Sequence, residues 1–196
     1  MDIKRPFYQD ISLWILILTN SATIYFALSE NWSLLTIMIV YWVQSVIIGI
    51  FNFLRIMSLK EFSTENFYIN DKQVQPTEKA KRSTAYFFVL HYGFFHLIYG
   101  LFLLMNAKDI SIFFVLSGGS IFFVDHLFSF RYNRKRDEKK KRNIGTLMFF
   151  PYARIIPMHL VIVLYGAFLS GKGPLIVFLG LKTAADAIMH IFEHEM

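Results

Sequence analysis

Six apolar blocks divide this 196-residue chain, each close to the length of about 20 residues that a helix needs to cross a hydrocarbon core of about 30 Å. They lie at about 11–28, 34–56, 85–105, 110–130, 147–169 and 174–194, and they leave no stretch long enough for a separate globular domain. The expectation is an all-α polytopic membrane helix bundle with about six transmembrane helices, a single membrane domain over residues 1–196. Only 17% of the residues are charged, against about a quarter in soluble domains. Lys4 and Arg5 ahead of the first block could mark a secretory signal. The block is long, its best small-residue cleavage pattern is Ala27-Leu28-Ser29, and a second block follows at once, so a retained span is expected.

The positive charges set the orientation. Lys and Arg number two in the amino-terminal tail, six in the 57–84 connection with Arg55 included, and eight in the 131–146 connection. On the other side stand only Lys108 and Lys172. Cytoplasmic loops carry the excess of Lys and Arg, so both termini and both long loops are expected in the cytoplasm of a multi-pass cell-membrane protein. The run that includes Arg134, Lys135, Arg136, Lys139, Lys140 and Lys141 is read as a topology determinant and a contact for anionic lipid headgroups. The net charge of +6 therefore reflects topology and not nucleic acid. The 57–84 loop fits either a short surface helix or partial disorder.

Polar residues within the spans are the candidates for function, since a charge at the bilayer centre costs about 2.5–3.5 kcal/mol on insertion scales. On the sixth block Lys182, Asp186, His190 and His194 recur every fourth residue, which keeps them on one helix face. His190 and His194 have the HxxxH spacing that lets two imidazoles on adjacent turns hold one metal. The third block has His91 and His96, five apart and so on different faces. Gly93 and Gly100 would allow close helix approach there, as would Gly118 and Gly119 on the fourth. The fourth block ends in Asp125-His126. The fifth is broken by Pro151 and Pro157 and carries Arg154 and His159 around Pro157, where a kink is expected. The second offers Gln44 and Asn52.

At about 1.5 Å per residue, His91, Asp125, His126, Arg154 and His190 lie about 6–10 Å from the inner ends of their spans. Gln44, His96, His159 and Asp186 form a second layer near the midplane. These two layers suggest an inward-facing polar cavity. In the metal reading, His91, His126, His159, His190 and His194 supply ligands to a divalent ion, zinc by its donor set. Asp125 and Asp186 then act as catalytic carboxylates, and Gln44, Asn52, His96, Arg154 and Lys182 line the cavity. An open coordination position would activate water against a lipid-borne amide or ester.

Two other readings stand beside it. A Lys/Asp/His seam also suits proton or ion transport. Alternatively, each polar group simply hydrogen-bonds between helices, with Lys182–Asp186 a local pair and His96 bonded to Tyr92 or Tyr99. The chain has no cysteine, which excludes thiolate ligands and c-type haem. A b-type haem between His91 or His96 and His159 or His190 ranks below a simple metal. No P-loop, GxSxG, HExxH or GxGxxG motif is present.

The blocks Tyr41 to Asn52, His91 to His96, Pro151 to Arg154 with Met158-His159, and Lys182 to His190 together resemble a family of uncharacterised multi-pass prokaryotic membrane proteins. That resemblance covers nearly the whole chain and implies no activity. A fainter similarity connects His190/His194 and Asp125 to membrane hydrolases of the ceramidase and adiponectin-receptor class. It implies an inner-leaflet zinc, although those enzymes have seven spans and a SxxxH motif that this chain lacks.

Overall fold

In a computed structural model, the described residues are 14, 17–18, 21, 24–25, 27–29, 32–107, 110–137, 141–165 and 173–195. They form helices α1 (Leu34–Ser58), α2 (Glu78–Met105), α3 (Ile112–Asp137), α4 (Ile144–Phe149), α5 (Ile155–Tyr165) and α6 (Gly173–Glu195). A 3-10 segment, Phe150–Arg154, joins α4 to α5. Four two-residue strands complete the set: β1 (Phe62–Ser63), β2 (Tyr68–Ile69), β3 (Lys72–Gln73) and β4 (Arg142–Asn143). The chain is all-α in class. Those positions described within the first predicted span are helical.

Among the described residues, three helices are long and apolar enough to cross a membrane: Leu34–Ser58, Glu78–Met105, and the Ile112–Arg131 part of α3. Their outer faces are bare and oily. Leu90, Leu97, Leu104, Phe113, Leu116 and Ile121 are each more than 60% exposed. A contiguous apolar surface of that kind calls for lipid or protein against it, which indicates membrane association.

Helix ends follow local chemistry. Thr77 caps α2, its hydroxyl accepting from the Ala80 amide at 3.2 Å, with Glu78 in the first turn. That start lies seven residues before the predicted span, inside what was expected to be loop. At the far end of the next helix, α3 runs to Asp137 and takes up the first half of the basic connection. The 57–84 segment is neither a surface helix nor irregular throughout. Asn70 and Asp71 take left-handed backbone angles, φ 50° and 59°, and turn β2 into β3 as an antiparallel hairpin. β1 pairs in parallel with β4, Phe62 opposite Arg142, so the two long connections are bonded to each other.

The fifth predicted span is not one helix. Pro151 has no amide to donate, and the chain passes through the 3-10 segment at that point. Pro157 then falls in the first turn of α5, where a missing N–H needs no partner. The expected kink becomes a helix start.

The chain divides into two compact units, 38–152 and 1–37 with 153–196. In the first, Met38, Tyr41, Ile56, Phe88, Leu103 and Ile144 are fully buried. Gly49 and Gly100 bring α1 and α2 close together. A methyl group at Gly49 would meet the Tyr92 ring at 2.7 Å, and one at Gly100 the Trp42 ring at 2.7 Å. Gly119, against Val43, behaves as expected, but Gly93 is exposed and faces no neighbour. The close approach therefore uses Gly49 where the sequence suggested Gly93. In the second unit α5 and α6 pack together, with Met158, Phe178 and Leu179 buried.

Candidate functional site

Within 38–152, Asn52, His91, His96 and His126 each have bonding partners of their own. His91 is exposed at the α2 surface, its Nδ1 2.8 Å from the Tyr152 hydroxyl and its ring stacked on Phe87. His96 is buried on the other side of the helix. Its Nδ1–H donates to the Tyr92 carbonyl at 2.9 Å and its Nε2 lies 2.9 Å from Ser45 Oγ on α1. The expected partner, Tyr92, is correct, but the bond goes to its backbone and not to its hydroxyl. Asn52 donates to the Leu147 carbonyl at 2.9 Å, tying α1 to α4. Gln44 is half-buried. Asp125 is exposed and lies 3.6 Å from His126, whose Nδ1 is 3.2 Å from the Phe122 carbonyl and whose ring stacks on Phe122.

At the α1 and α3 carboxyl ends lies a cluster that charge counting concealed. Asp137 is buried and accepts from Arg55 Nε at 2.6 Å and Nη2 at 2.9 Å, and from Arg142 Nε at 2.7 Å. Burial alone would raise the Asp137 pKa. The hydrogen bonds and charges of the two guanidinium groups outweigh that and hold the carboxyl below its ordinary value. Arg55 and Arg142 are thus internal fasteners and not free topology charges. Nearby in sequence, buried Lys81 donates to the Leu59 carbonyl at 2.6 Å and to Glu78 at 2.9 Å. Asn143 caps α4 through the Thr146 amide and donates to the Glu65 carbonyl. Of the predicted headgroup contacts, Arg134 and Lys141 are exposed. The side chains of Lys135, Arg136, Lys139 and Lys140 lie outside the described residues. A shallow surface depression is lined by Glu78, Lys79, Arg82 and Ser83, none of them expected to line the cavity.

In the other unit, α6 is continuous from Gly173 to Glu195, so the four-residue stripe keeps its face. Lys182 Nζ donates to Asp186 Oδ2 at 2.6 Å, with side-chain exposures of 15% and 7%. His159 is exposed. The side chains of Arg154, His190 and His194 lie outside the described residues. Among the described residues, no three His, Cys, Asp or Glu side chains come together as a metal-ligand group. The predicted set divides between the units. Gln44, Asn52, His91, His96, Asp125 and His126 belong to 38–152, and Arg154, His159, Lys182, Asp186, His190 and His194 to the other.

Compared with known families, residues 2–196 match the profile of DUF6498, described as a family of unknown function. The chain belongs to that family. No curated protein and no solved structure matches it. The DUF6498 match spans both units and every polar residue discussed above.

Proposed function

We propose that this protein is a six-span integral membrane protein with both termini cytoplasmic, and that α6 carries a proton- or cation-handling seam. The observation that carries this reading is the Lys182–Asp186 pair, a buried carboxylate 2.6 Å from an ammonium on the helix face that also carries His190 and His194. The bond lies within one helical turn. Such a pair can exchange partners at constant charge. A proton arriving on Asp186 as one leaves Lys182 keeps the site neutral, and a small cation can take the ammonium's place beside the carboxylate. His190 and His194 continue the same face toward the carboxyl end of the helix and offer the next proton acceptors. The exposed Arg134 and Lys141 face anionic headgroups in this arrangement.

Purified protein in liposomes, given a pH step, tests the seam. Flux that is lost in Asp186→Asn supports it; flux equal in wild type and variant contradicts it. The six-span topology is tested with single introduced cysteines, since the chain has none of its own. Residues 66 and 134 should label from the cytoplasm only.

A second reading is favoured by one observation. The uninterrupted α6 sets His190 and His194 one turn apart, a spacing suited to a divalent ion, zinc by its donor set, and to metal-dependent hydrolysis of a lipid. Elemental analysis separates the two: a stoichiometric metal lost in His190→Ala indicates a metal centre, and metal-free protein that still conducts indicates the seam alone.

A further inference from the structure

We propose that Ser45, Tyr92 and His96 form a buried proton-binding site between α1 and α2, a reading that does not rest on the one given for α6. The argument is a count of hydrogens. The Nδ1 of His96 faces the Tyr92 carbonyl at 2.9 Å, and a carbonyl only accepts, so Nδ1 carries a hydrogen. Three further contacts follow in series. Nε2 lies 2.9 Å from Ser45 Oγ. Ser45 Oγ lies 2.7 Å from the Tyr92 hydroxyl, which lies 3.0 Å from the Ser45 carbonyl.

With a neutral imidazole, only the two hydroxyl hydrogens are available for these three contacts. Ser45 donates to Nε2, and Tyr92 must divide its single hydrogen between Ser45 Oγ and the Ser45 carbonyl. One contact has no hydrogen of its own. A proton on Nε2 completes the series: Nε2–H donates to Ser45, Ser45 to Tyr92, and Tyr92 to the carbonyl. Binding requires only rotation of the Ser45 hydroxyl and full commitment of the Tyr92 hydroxyl. The Tyr92 hydroxyl lies against both Ser45 oxygens, and a charged imidazole uses both of these contacts in one series.

The surroundings suit a site of this kind. The titratable groups facing the ring are Tyr92, stacked at 4.2 Å, and Tyr99, edge-on at 6.4 Å, both on α2. From α1 come Ser45 and Trp42, neither of them charged, and Trp42 Nε1 donates to the His96 carbonyl at 2.8 Å. Ser45 and His96 are both buried, so the hydroxyl network takes the place of water around the cation. The Tyr92 ring is held by Phe88 and by the edge of Tyr152. Those contacts do not involve its hydroxyl and survive its removal.

The test is nitrogen NMR of histidine-labelled protein in lipid, with the His96 signal assigned by its loss in His96→Asn. The wild type should convert from the neutral Nδ1–H form to imidazolium as the pH is lowered. Tyr92→Phe keeps the ring packing and removes one hydrogen bond, so it should lower that midpoint by about one pH unit. Ser45→Ala should lower it further, because Nε2–H then has no acceptor. A wild-type His96 that stays neutral throughout, or one that titrates at the same pH in wild type and Tyr92→Phe, overturns the proposal.

Discussion

Two buried aspartates show how differently one chain can use the same group. Asp137 accepts from Arg55, 82 residues away, and from Arg142, five away, and so joins the end of α1 to the connection after α3. Asp186 is bonded to Lys182 one turn back on its own helix. The first bond set joins α1, α3 and the connection after α3 within 38–152. The second bond lies within one helix. A buried ion pair rarely does better than break even against desolvation, so the pair whose bond joins no distant segment is the one proposed for function.

The largest effect should come from Asp137→Ala. It removes the carboxylate that half-buried Arg55 and buried Arg142 share and should cost about 3–5 kcal/mol, seen as a marked fall in the unfolding midpoint of detergent-solubilised protein. Acid should act on the same cluster. The folded pKa of Asp137 is lowered, so its contribution is complete above the ordinary value of 3.8 and fades as pH falls below it. The wild type should therefore lose stability below about pH 4 in a way that Asp137→Ala does not. Next in size is Gly100→Ala, whose new methyl would sit 2.7 Å from the Trp42 ring, for a loss of about 1–3 kcal/mol. Gly93→Ala on the same helix meets nothing within 4 Å and should be neutral or stabilising by up to about 1 kcal/mol. Equal losses at both glycines would break the account of how α1 and α2 meet.

Long elements were legible in the sequence because their signal is length and hydropathy. Helices cover the second, third, fourth and sixth apolar blocks, although α2 begins at Glu78 and α3 runs on to Asp137. The fifth was expected to be broken at both prolines: the break at Pro151 is there, while Pro157 sits in the first turn of α5, because a proline that halts a helix can also begin one. The 62–73 strands were missed although Asn70-Asp71 is a turn signal, since two-residue strands have no periodicity to detect. The polar groups were found by type but not by role. Arg55 and Arg142 were hidden inside a tally of basic residues, and the one clue was an acid, Asp137, within a basic run. Ser45 had no signal at all. A lone serine on an apolar helix gains meaning only when α2 brings His96 and Tyr92 against it.

The central claim is that the α6 pair serves function while the Asp137 cluster serves the fold. The most direct test replaces both partners, Lys182→Met with Asp186→Leu, and measures the unfolding midpoint and liposome flux on the same preparation. The account predicts stability within about 1 kcal/mol of wild type, far from the loss in Asp137→Ala, with flux abolished. Unfolding as severe as that of Asp137→Ala, or flux that persists, would contradict it.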